Sequence, residues 1–167
     1  MSEAKSHFDI GQLEPGYAGN LMDNKAHKLP FAGTETMGAV MTPGSTTQEN
    51  GRLIIRGMVQ QAQDAVTDPR VSGDLTIEVN AYFDASTFSG PMWGTFILEN
   101  NRGKWLCAWI GQRTAQGDST IDAWGYGVGE FEGLMAHWNY ARQNLDPNSP
   151  FAIQGYISKK MEWNTGY

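Results

Sequence analysis

The chain has 167 residues, 40% hydrophobic, 11% aromatic and 18% charged, with 12 basic against 18 acidic side chains and a formal charge of −6. That length suits one domain able to bury its own core, and the acidic balance, with no dense run of lysine or arginine, argues against a nucleic-acid partner. Cys107 is the only cysteine, which excludes an intrachain disulfide and a Cys₄ or Cys₂His₂ zinc site. The N-terminus lacks an apolar signal core and no long apolar run marks a membrane span, so a soluble, cytoplasmic protein is expected.

Residues 1–33 carry Gly11, Pro15, Gly16, Gly19, Pro30 and Gly33 with no sustained period and read as an irregular N-terminal arm. From residue 34 to 167 the chain divides into eight strand-length pieces, near 34–41, 51–63, 73–84, 91–99, 104–114, 119–127, 131–142 and 151–162. Their separators are rich in glycine and proline: Pro43-Gly44 through Asn50-Gly51, Asp68-Pro69, Ser89-Gly90-Pro91, Asn100 to Gly103, Gln116-Gly117-Asp118, the glycine cluster after Trp124, and Asp146 to Pro150. Short connections make successive strands antiparallel neighbours, and eight of them can close into a barrel. The expected fold is therefore all-β, a single eight-stranded antiparallel barrel behind an irregular arm.

Alternation is clearest in Leu75–Phe83, where Ile77, Val79, Ala81 and Phe83 share one face and Thr76, Glu78, Asn80 and Tyr82 the other. In 104–114 both faces are largely apolar, Trp105, Cys107 and Trp109 opposing Leu106, Ala108 and Ile110. Such a strand is covered on both sides, by the arm, a terminal segment or another subunit, and a homo-oligomer, dimer or trimer, is the simplest cover. Only 58–66 and 132–142 offer a helical alternative, and the aromatics spaced two apart in the second favour strand.

The segment Gly125-Tyr126-Gly127-Val128-Gly129-Glu130-Phe131-Glu132-Gly133 lies between two strand-like stretches, where its glycines mark a bent sheet corner. It resembles the Gly-Gly-x-Gly-x-Phe-x-Gly corner of the allene oxide cyclase and dirigent-like (calycin-type) barrels, and Pro150–Ile157 falls where that pattern places its last strand. The resemblance implies an eight-stranded barrel, often trimeric, whose apolar cavity steers a reactive hydrophobic molecule into one cyclised or coupled product. It departs from the plant cyclases in one respect. Their Glu-x-Asn pair lies on the first strand, whereas Thr36–Met41 contains neither residue and Glu78-Val79-Asn80 falls on the third.

Glu78, Tyr82 and Tyr126 are the candidate proton handlers, a carboxylate and two phenols that a cavity would tune for acid–base work. Asn80, Trp93, Trp109, Arg113, Trp124, Trp138 and Tyr140 are the candidate ligand contacts, rings with one polar edge suited to a flat or polyene-like molecule. The plain alternatives are that the Glu78 face is the wet outer wall, that Arg113 pairs with Asp122 across a turn, and that the aromatics fill the barrel or an interface. His7, His27 and His137 lack metal-binding spacing, and no metal or cofactor is expected. The functional expectation is a barrel binding a small apolar or aromatic metabolite, with cofactor-free cyclisation or isomerisation as its chemistry. A lipocalin-like carrier or sensor and a solidly packed structural barrel are the alternatives.

Overall fold

β-Branched and aromatic residues at every second position leave one face of each segment to bury and the other to solvate, the condition for a strand. The computed structural model describes residues 28–144, 146 and 148–159. These form nine strands: β1 (Leu29–Thr42), β2 (Ser45–Glu49), β3 (Arg52–Val66), β4 (Gly73–Asp84), β5 (Gly90–Glu99), β6 (Gly103–Arg113), β7 (Ser119–Gly129), β8 (Leu134–Arg142) and β9 (Phe151–Lys159). Every pairing is antiparallel, in the order β1-β9-β8-β7-β6-β5-β4-β3, and β1 returns to β3 to close an eight-stranded barrel. The all-β barrel expected from the sequence is the fold, with β2 as an additional strand.

The strand bounds differ most from the sequence reading at the first strand and in the connection after it. β1 begins at Leu29, inside the stretch read as arm, because Leu29–Glu35 pairs with β9; residues 1–27 of the arm lie outside the described residues. The connection read between the first two strands contains β2, whose Ser-Thr-Thr-Gln-Glu run is exposed throughout and so carries no hydrophobic period. β1 and β2 are two lengths of one path, broken at Pro43-Gly44, that lie along the two halves of β3. Asn50 and Gly51, both at positive φ, make the tight turn between β2 and β3. Both possible helices are strands, within β3 and β8.

One end of the barrel is filled. Trp138, fully buried, takes Phe96, Trp105 and Phe31 edge-on at 5.5, 5.9 and 6.1 Å, and Phe131 stacks on Trp105 at 5.3 Å. Val71, in a 3₁₀ turn over Pro69–Val71, joins this plug, and Trp105 Nε1 donates to the Arg70 carbonyl at 2.8 Å. Asn100 Nδ2 ties the same turn down through the carbonyls of Arg70 and Ser72. The glycine corner serves the plug. Gly129 and Gly133 take positive φ, and the chain between them turns Phe131 inward until no part of it reaches solvent.

Gly127 leaves no side chain where one would meet the backbone and Cβ of Phe131. Gly127→Ala should therefore destabilise the fold by about 1–3 kcal/mol through overpacking at backbone that cannot yield. Urea denaturation checks this, and an unchanged midpoint would show that the corner does not depend on that approach.

Candidate functional site

At the other end the inward side chains are thinner and leave a cavity of about 330 Å³. Met37, Met58, Ile77, Val79, Met92 and Ile121 supply much of its apolar wall, with Phe96 and Trp109 toward the plug. Trp109 lies across Gly94, and its Nε1 donates to the Glu78 carbonyl at 3.2 Å. Glu35, Gln60, Arg113, Ser119, Tyr140 and Arg142 are the polar part of the lining.

Glu35 on β1 and Asp64 on β3 are register partners, and the two residues are 4% and 2% exposed. Burial, and then the neighbouring Asp64, hold Glu35 well above the usual carboxylate range. Burial pushes Asp64 up to about 6, against the hydrogen bonds from Glu35 and Tyr140 that favour its charge. Tyr140 Oη donates to Asp64 Oδ2 at 2.8 Å. Burial and the adjacent carboxylates in turn keep that phenol well above its ordinary value. Two neighbouring buried carboxyl groups favour holding one proton between them over ionising together, and burial raises the pKa of both, Glu35 with the added push of Asp64. Asp64 Oδ1 is buried and has no hydrogen-bond partner among the described residues.

Two guanidinium groups line the same cavity, and Arg142 acts on Glu35. Arg113 packs over Phe83 at 4.9 Å and Arg142 over Phe151 at 4.4 Å, and neither makes an ion pair among the described residues. Desolvation lowers the pKa of each, and for Arg113 the nearby Arg142 adds to it. Arg142 Nε is buried without a partner, and Arg113 Nε reaches only Ser119 Oγ, at 3.5 Å.

Of the residues singled out in the sequence, Trp109, Arg113 and Tyr140 line the cavity. Trp138 is in the plug. Glu78, Tyr82 and Tyr126 point outward and are exposed, so the enclosed acid–base role expected of them is corrected: the apolar side of β4 took the interior and left its polar side to solvent. Trp93 and Trp124 are also on the outer wall, Trp93 beneath the Arg56 guanidinium at 4.9 Å. Asn80 contacts no cavity. Its Oδ1 accepts from the Gly57 N–H at 3.1 Å, pinning a bulge in β3. The expected Arg113–Asp122 pair does not form, because Arg113 is opposite Ser119 and Asp122 opposite Ile110. The turn centre is displaced from Gly117-Asp118, and the odd offset puts the two on opposite faces. Cys107 is buried and its thiol pushed up by desolvation, as suits a core residue.

Glu35 and Asp64 were missed, although each stands where alternation calls for an apolar side chain. Glu35 shares parity with Phe31 and Met37, and Asp64 with Ala62. For Glu35 a carboxylate in phase with Phe31 and Met37 was the available signal. Among the described residues no group of three His, Cys, Asp or Glu side chains is placed to hold a metal ion, and no helix is long and apolar enough to cross a membrane. Compared with family models, curated proteins and solved structures, the chain matches none.

The raised carboxyl pKa values have a defined sign for stability. The unfolded chain releases the Asp64 proton near pH 4, whereas the folded protein holds it to about 6. The stability from this group is complete below about pH 4 and is lost as pH rises through 6, on the order of 3 kcal/mol for a shift of that size. Asp64→Asn should flatten the fall between pH 4 and 8 in urea-denaturation profiles. Parallel profiles for variant and wild type would remove Asp64 as its source.

Proposed function

We propose that the barrel binds a small, mostly apolar molecule with an anionic group and moves a proton on it without a cofactor. The observation that supports this most directly is a proton-sharing carboxyl pair, tied to Tyr140, beside an apolar cavity. Such groups occur where chemistry needs them, since burying them unused costs stability. Arg113 and Arg142, with donors to spare, suit a carboxylate or similar head, while the methionine-rich wall suits an aliphatic or unsaturated body.

Glu35 faces the ligand as the proton donor, with the Asp64 anion behind it. Giving that proton away leaves two carboxylates in contact, so a reaction that returns a proton to the pair is favoured over one that does not. Isomerisation and cyclisation meet that condition, and an allene-oxide-cyclase-like conversion is the form the sequence resemblance implies. Holding one conformer of the ligand would supply much of the rate.

A carrier is the second reading, favoured by the same cavity without any demand on the carboxyl pair. Calorimetric titration of decanoate and of decan-1-ol tests the binding. Decanoate should bind more tightly, and Arg142→Gln should weaken it about tenfold or more while leaving the alcohol unchanged. A β,γ-unsaturated ketone in D₂O, followed by proton NMR, tests the chemistry. Exchange and double-bond migration that disappear in Glu35→Gln support proton transfer, binding without exchange leaves the carrier, and failure of both probes to bind removes the proposal.

A further inference from the structure

The outer wall of β5–β8 is apolar across four adjacent strands. One row runs Ile97, Leu106, Tyr126, Met135 through directly paired positions, and the next runs Thr95, Ala108, Trp124, His137. Ile97, Tyr126, Met135 and Trp124 are exposed, as are Ile110 and Val128 on either side of these rows. No aspartate, glutamate, lysine or arginine occurs in the two rows. The charged groups lie at the rims, as the Lys104–Glu99 pair toward the plugged end and Asp122 beside His137 toward the other.

From their exposed fractions, the six exposed apolar side chains present roughly 600 Å², at the top of the range for the largest patch on a monomer. With Leu106, Ala108 and Thr95 between them, the face approaches the ~800 Å² per partner of a stable interface. Its composition is that of an interface centre, tryptophan, tyrosine and methionine inside a polar rim. Its relief is also particular. Ala108 is small, and the dip above it and the bare backbone at Gly125 forms a groove of about 380 Å³ bounded by Ile97, Leu106, Trp124, Tyr126 and Met135.

We propose that this face binds a second copy of the same chain. It carries both the projecting rings and the groove that could receive them, so a twofold axis through its centre seats the Trp124 and Tyr126 of each copy against the other. The rim holds both signs of charge within short distances, so two copies can meet without a single-sign field between them. β6 then has its inner face against the plug and its outer face against the partner. The inference stands independently of the cavity, which opens inside the barrel.

Sedimentation velocity of the full chain over a wide concentration range tests it. Wild type should run as a dimer or larger assembly, and Trp124→Glu and Tyr126→Glu should each weaken association at least tenfold while keeping the near-ultraviolet circular dichroism of the fold. Ile110→Lys serves if either fails to fold, and Val40→Glu, at an exposed apolar position on β1, should leave the mass unchanged. A wild-type monomer at the highest concentration would overturn the proposal, including one whose Trp124 is shielded from quenchers by residues of its own chain. Glutamate variants that keep the wild-type mass would overturn it as well.

Discussion

The structure depends on how eight inward faces share one interior. A barrel of this strand number encloses little more than side chains can fill, so each large ring on one strand requires a small residue on its neighbours. Trp138 and Phe31 fit because Gly155 leaves open the space between them. Phe131 fits because Gly127 is bare, and Trp109 reaches the Glu78 carbonyl because Gly94 is bare. The rings that stack or meet edge-on around Trp105 and Trp138 are thereby gathered at one end. The other end keeps methionines, Val79, Ile77 and Ile121, which do not close the space, and the cavity is what remains. Among the described residues the interior is therefore packed solid at one end only.

The same division sets the electrostatics. Glu35 and Asp64 sit where the plug gives way to the cavity, deep enough for desolvation to dominate both titrations. An isolated carboxylate there would simply stay protonated. The Tyr140 hydroxyl works against that desolvation by donating to Asp64, in place of a hydrogen bond from water. The arginines contribute to the field without neutralising it, since Arg142 lowers the Glu35 pKa but forms no ion pair with it. One proton between two buried oxygen acids, close to an apolar surface, is chemically poised in a way the exposed Glu78 is not.

The fold was legible in the sequence because alternation and turn residues are local. The residues of Leu75–Phe83 divide between the two faces as their alternation reads, and the glycine segment ends in a corner at 130–133, although Gly125–Gly129 is still part of β7. The site was less legible because it depends on which face of each strand turns inward and on pairings between distant segments. Glu78, Tyr82 and Tyr126 were polar groups on a regular strand, the ordinary mark of a solvated wall. Glu35 and Asp64 were polar groups out of phase with polarity, and they meet across 28 intervening positions only because β1 returns to β3. Counting from a turn failed for Arg113 in the same way, since the loop there is one that local sequence does not centre.

One further element makes the parity of β3 unreadable from its sequence. Leu53 and Ile55 pack toward the core at odd positions, whereas Met58 and Gln60 line the cavity and Ala62 and Asp64 are buried at even ones. The change of phase is the bulge at Arg56-Gly57, where pairing to β4 slips between Ile55 and Met58 and Gly57 takes positive φ. Asn80 holds that bulge through the Gly57 N–H, and its amide nitrogen also contacts the Trp93 carbonyl at 3.4 Å. Without the extra residue, every side chain after it would turn to the opposite face, and Asp64 would leave Glu35 and Tyr140 for the outer wall. Asn80 thus bears on the candidate chemistry without touching a ligand, by fixing which face of a neighbouring strand the carboxylate occupies.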